Sequence, residues 1–169
     1  NVFGIELSSA IGTGAVDISS NTITGVANNG ANSDARGIMI NAIGAAYTVN
    51  SNTISTIESS ATGLTSGIQI GATTAAGTFE KNIIHDVFSH NLGGAAGFNL
   101  ANVANGMFLK NNFIYDIKNN LGSSFSTLAR NVSGILINSG SNHKIYHNSV
   151  HLYHASTATA SNFISCLTI

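Results

Sequence analysis

Gly37–Ile57 reads GIMINAIGAAYTVNSNTISTI, and the same phrase returns without a gap as Gly67–Val87 and Gly97–Ile117. Looser copies begin at Gly4, two residues longer before its asparagine, and at Gly134, one residue shorter. Every copy opens on a glycine-led phrase (GIEL, GIMI, GIQI, GFNL, GILI) and runs on to an asparagine. Those asparagines are Asn21, Asn52, Asn82, Asn112 and Asn148, spaced 30 to 36 residues apart. A fixed period of this length is the mark of a solenoid, in which each repeat is one coil stacked on the next.

Aligning the copies gives five columns. The first is Ile5, Ile38, Ile68, Phe98, Ile135, and the second is Leu7, Ile40, Ile70, Leu100, Ile137. Three residues before the asparagine stand Ile18, Val49, Phe79, Leu109 and Ile145. Two after it come Ile23, Ile54, Ile84, Ile114 and Val150, and five after it Val26, Ile57, Val87, Ile117 and Tyr153. All 25 positions are apolar or tyrosine in a chain that is 43% apolar, which chance does not produce. The i, i+2 spacing and the abundance of β-branched residues point to short strands, and no window keeps a helical period. The expected fold is therefore all-β: a right-handed parallel β-helix of about five coils, with coils starting near residues 4, 37, 67, 97 and 134 of one 1–169 unit. Identical amides stacked in a turn can hydrogen-bond along the stack, so the five asparagines are expected to form a scaffold ladder.

Composition narrows the partners. Charged residues make up 8% of the chain, against about 25% in an average soluble protein. The six Lys/Arg and seven Asp/Glu are scattered singly and sum to −1. Nucleic acid and anionic membrane surfaces both call for clustered Lys/Arg, so neither is expected as a partner. No apolar run is long enough for a transmembrane helix, so no membrane insertion is expected. Cys166 is the sole cysteine, which leaves no intramolecular disulfide to form. Proline is absent, compatible with stacked strands whose ladder needs every N–H.

The repeated units resemble those of right-handed parallel β-helix proteins, the architecture of pectate lyases and many surface proteins. The stretch Asn111–Phe163 is similar to tandem repeats in large secreted surface proteins of Bacteroidetes-type bacteria, many exported by the type IX system. That resemblance implies an extracellular or cell-surface location. Lyases on this fold use an Arg or Lys base with calcium-binding acids, and hydrolases use grouped carboxylates. The middle positions of the glycine-led phrases, Glu6, Met39, Gln69, Asn99 and Leu136, are expected to face solvent, and they hold one carboxylate in five rungs. No catalytic residue is assigned, no cofactor is expected, and the chain is expected not to be an enzyme.

Other constellations carry candidate binding roles. His85, Tyr115 and His151 share a column three residues after the asparagine. They suggest a ring stack that either binds a glycan or only stabilises the ladder. Asp86 and Asp116 occupy the next column, a weak calcium candidate short of that ion's usual ligand number, with Lys81 or Lys118 as the other source of neutralisation. His143, His147, His151 and His154 form a His-rich run without helical spacing, so no metal site is assigned. Glu80 and Lys110 are expected to pair across coils. The neighbouring column Thr22, Thr53, Ile83, Phe113, Ser149 does not persist as a threonine array. Variable loops are expected at Ala27–Arg36, Glu58–Ser66, Phe88–Ala96 and Lys118–Ser133.

Both ends are expected to be uncapped, with Phe163–Ile169 resembling the start of a sixth coil. The resulting functional expectation is a structural or adhesive extracellular module, part of a surface protein, stalk or filament. Its partners would be neighbouring copies or coils of the same protein. The alternative is a carbohydrate-binding or polysaccharide-degrading β-helix whose catalytic residues lie outside this segment, with a surface polysaccharide as partner.

Overall fold

The computed structural model describes residues 1–8, 14–30, 33–41, 44–72, 75–90, 93–102, 106–119, 132–152 and 164–169. The first coil supplies β1 (Val2–Leu7), β2 (Val16–Ser19) and β3 (Thr22–Asn28). The second supplies β4 (Ala35–Ile40), β5 (Tyr47–Asn50) and β6 (Thr53–Ser59), and the third β7 (Thr65–Ile70), β8 (Gly77–Glu80) and β9 (Ile83–Ser89). The fourth gives β10 (Ala95–Leu100), β11 (Phe108–Lys110) and β12 (Phe113–Asn119). The fifth gives β13 (Val132–Ile137), β14 (Lys144–Tyr146) and β15 (Ser149–His151), and β16 (Ile164–Thr168) follows. No helix occurs among the described residues.

Like strands stack on like. Sheet A has the order β1-β4-β7-β10-β13-β16, sheet B β14-β11-β8-β5-β2, and sheet C β15-β12-β9-β6-β3. Every pairing is parallel and in the register of the repeat: Ile38 lies beside Ile68, Val49 beside Phe79, Ile54 beside Ile84. The chain is thus a parallel β-solenoid. Sheets B and C hold five rungs, about four full turns from first to last, and β16 lays a sixth strand on sheet A. Strands run further than the sequence suggested, so the turns before sheet A shrink. Positions Ala35, Thr65, Ala95 and Val132, expected in loops, join the buried interior instead. Tyr153, His154 and Phe163 lie outside the described residues.

The apolar columns form one continuous core. Burying a side chain of this size contributes about 1.5–3 kcal/mol, and the stack repeats that gain in every rung. The glycine that opens each phrase has a steric cause. A Cβ on Gly37, Gly67 or Gly97 would come within 2.3–2.5 Å of the Cγ2 of Ile54, Ile84 or Ile114. It would also crowd the next coil's glycine carbonyl oxygen, at 2.6–2.9 Å. Only glycine lets sheet A pass this close to sheet C.

The corner between sheets B and C is built on the asparagines. The preceding residue, Ser20, Ser51, Lys81, Asn111 or His147, takes a left-handed φ of 54–57° and turns the chain. The Asn52 carboxamide then makes four hydrogen bonds. Its Nδ2 donates to Asn82 Oδ1 (3.0 Å) and to Ile18 O (2.9 Å). Its Oδ1 accepts from Asn21 N (3.0 Å) and Asn21 Nδ2 (2.9 Å). The pattern repeats at Asn82 and Asn112, with Nδ2-to-Oδ1 distances of 2.9 and 2.8 Å to the next rung. Asn52, Asn82 and Asn112 are buried, and two donors with two accepted bonds satisfy each amide in full.

Candidate functional site

Sheet A is buried on both faces from β4 to β13. Sequence alternation directed Met39, Gln69, Asn99 and Leu136 outward into solvent. The structure corrects this: all four are buried, and Glu6 alone of its row is exposed. Alternation tells which side of a sheet a residue faces, not whether that side is open. Burial is tolerable because the polar members bond one another. Arg36 Nε donates to Gln69 Oε1 (2.7 Å), its Nη2 pairs with Asp34 Oδ2, and its guanidinium lies 5.5 Å from the centre of the Phe3 ring. Burial pulls the Arg36 pKa below its ordinary value, opposed by the charges of Asp34 and Glu6. Asn138 Nδ2 donates to Asn99 Oδ1 (3.1 Å), and Ser133 and Thr168 hydroxyls meet at 3.0 Å. No open row of carboxylates lines this face.

The outer face of sheet C is different. His85 and Tyr115 stack with ring centres 4.7 Å apart and planes within 5°. One face of each ring is therefore given to the other, and both side chains are half-buried. His151 stands in register with Tyr115 on the next rung and is exposed. Beside this row Phe113 lies next to Ile83, 44% and 39% exposed, and the Phe113 ring tilts against Tyr115 at 4.8 Å. In the sequence Ile83 and Phe113 show only as an interruption of a threonine column, and that interruption is their signal. Further along the face, Phe88 touches His90 (4.0 Å between centres), and His90 Nε2 meets Glu58 Oε2 at 3.1 Å.

Asp86 and Asp116 owe their place to the backbone. They share a column with Gly25 and Thr56, and all four adopt left-handed φ: 74°, 54°, 53° and 53° in chain order. Aspartate tolerates this region better than most residues, so the column reads as a bend in the strands. Lys118 Nζ bridges the two carboxylates, 3.5 Å from Asp86 and 3.2 Å from Asp116. Partial burial draws the Lys118 pKa down, but its bond to Asp116 and both acidic charges outweigh this and leave it above the ordinary lysine value. Lys81 turns to Glu80 instead, at 3.9 Å.

The Glu80–Lys110 pair forms across coils at 2.9 Å. The hydrogen bond to Lys110 holds Glu80 below the usual carboxylate range. The histidine run is dispersed. His143 Nδ1 accepts from Met107 N (3.3 Å), with Nε2 3.1 Å from Ser139 O. His147 occupies the turn before Asn148, and His151 lies on β15. Among the described residues no three His, Cys, Asp or Glu side chains converge as a metal site.

At the last rung, Ile135, Ile145, Val150, Cys166 and Leu167 line an open cleft of about 330 Å³, rimmed by Tyr146 and His147. No protein-family model, curated protein or solved structure matches the chain.

Proposed function

We propose that this chain is a structural segment of a β-solenoid that lengthens by adding coils in register, as a stalk, filament or adhesive element outside the cell. The observation that carries the reading is the polarity of the asparagine ladder. At the first rung Asn21 Nδ2 reaches forward to Asn52 and back only to Ser19 O (3.1 Å), and its Oδ1 accepts no bond among the described residues. At the last rung Asn148 Nδ2 falls back on Tyr146 O (3.2 Å) in the place of a following carboxamide. Its other hydrogen is on Leu109 O (2.8 Å), so one end offers an open acceptor and the other a donor that can exchange its Tyr146 bond, at the same corner of the same cross-section. A contact between two such unlike ends repeats without closing and generates a filament. Exposed Leu167 and Ile169 at the β16 edge give the next coil apolar surface to cover. For the location outside the cell, the support is the resemblance of Asn111–Phe163 to repeats of secreted surface proteins.

The alternative, a carbohydrate-binding or polysaccharide-degrading β-helix whose catalytic residues lie outside this segment, draws no support from sheet A, whose outer face is buried. Sedimentation and negative-stain electron microscopy over a rising concentration series test the structural reading. Rods one solenoid wide, growing end to end, are the expected result, with Leu167→Lys/Ile169→Lys shortening them by charge repulsion. A wild-type chain that stays monomeric at its highest soluble concentration, or a variant that polymerises equally well, would sink it.

A further inference from the structure

Among the described residues, large exposed apolar side chains occur in two settings. Val2, Tyr146, Ile164, Leu167 and Ile169 belong to the first coil, the fifth coil or the strand after it. The remaining two, Ile83 and Phe113, sit mid-solenoid, side by side on adjacent rungs of sheet C. Their row is otherwise filled by Thr22, Thr53 and Ser149, so nothing in the fold demands an apolar residue there. An exposed apolar pair that folding does not require is a sign of something that binds.

Size and polarity narrow the ligand. Two side chains cannot form the core of a stable protein interface, which covers about 800 Å² on each partner. They match one face of a single ring. Around them lie polar groups suited to hydroxyls: the His85 ring nitrogens and the Tyr115 hydroxyl and, one column on, Asp86 and Asp116. Lys118 offsets only one of those two carboxylates, so the strip keeps a net negative charge and does not favour an anion. Strands β9 and β12 hold all of these groups on a rigid ladder, so ordering them on binding costs little.

We propose that the outer face of sheet C across the third and fourth rungs binds a neutral oligosaccharide. Phe113 and Ile83 lie under the apolar face of one pyranose ring, and the His85 ring nitrogens and the Tyr115 hydroxyl meet its hydroxyls. The site is independent of whether coils stack end to end, and the rings' stacked faces are not the contact surface.

The test is NMR titration of the 169-residue protein, followed on the aromatic resonances of Phe113, Tyr115 and His85. The probes are cellohexaose, xylohexaose and mannohexaose, with oligogalacturonate as the acidic counterpart. At least one neutral hexasaccharide is expected to shift those resonances saturably. The double variant Ile83→Thr/Phe113→Thr uses the residue already present at positions 22 and 53, and is expected to weaken binding about tenfold or more at unchanged melting temperature. Tyr115→Phe keeps a ring in the stack and is expected to lose less. No shift with any neutral probe, binding of oligogalacturonate alone, or equal affinity in the double variant would each overturn the site. So would a double variant that loses self-association instead of sugar binding, because that assigns the pair to a protein contact.

Discussion

At the scale of single residues, this fold is governed by whether each buried polar atom finds a partner. Asn82 is the best-served case. It donates to Asn112 Oδ1 and Val49 O and accepts from the backbone and side chain of Asn52. Asn82→Leu would strand several of these groups at about 1–3 kcal/mol each. A loss of at least about 3 kcal/mol is expected in urea unfolding. Asn148→Leu at the half-open last rung should cost visibly less, and equal costs would contradict a ladder that is strongest in its middle. Thr65 is the opposite case. It is fully buried in a column with Ala35, Ala95 and Val132, and its hydroxyl has no partner among the described residues. Thr65→Val keeps the shape and removes the orphan, so stability should rise by about 1 kcal/mol, or about 2–4 °C in melting temperature. A lower melting temperature would show that the hydroxyl is satisfied after all.

At the scale of the strand, two backbone devices set the cross-section: the glycine of sheet A and the left-handed bend of sheet C. Gly67→Ala places a methyl 2.3 Å from Ile84 Cγ2 and 2.9 Å from Gly97 O. Because backbone cannot yield as a flexible side chain does, a loss of about 3 kcal/mol or more is expected. Calorimetry showing a near-neutral effect would mean that the sheets stand further apart. Thr56 holds a left-handed φ of 54°, unfavourable for a β-branched residue, where neighbouring rungs use Gly25, Asp86 and Asp116. Thr56 Oγ1 donates to Asp86 Oδ2 (3.2 Å), and Thr56→Asn should relieve strain on the order of 1 kcal/mol, read as a higher melting temperature, while keeping a donor there. These elements also show what the sequence could carry. Inward columns were legible because alternation and repetition agree at Ile38, Ile68 and Phe98. Asp86 and Asp116 were read as a charge problem, because φ leaves no direct trace in composition. The glycine at position 25 was the available clue. The covered outer face of sheet A was not legible at all: Met39, Gln69, Asn99 and Leu136 share no hydropathy that distinguishes a covered row from an open one.

At the scale of the whole molecule, strands pair only with the like strands of adjacent rungs, so stability accumulates along one dimension and fades toward the ends. The same repetition limits function to what breaks it. Ile83 and Phe113 interrupt a threonine row, and at the first rung of the ladder Asn21 Oδ1 accepts no bond among the described residues. The asparagines form one continuous ladder through the rod, fully satisfied at Asn52, Asn82 and Asn112. Hydrogen exchange of side-chain carboxamide protons, resolved by NMR, tests it most directly. The buried Nδ2 protons of Asn52, Asn82 and Asn112 should exchange far more slowly than those of exposed Asn111, with Asn21 and Asn148 between. Exchange at Asn82 as fast as at Asn111 would contradict the account.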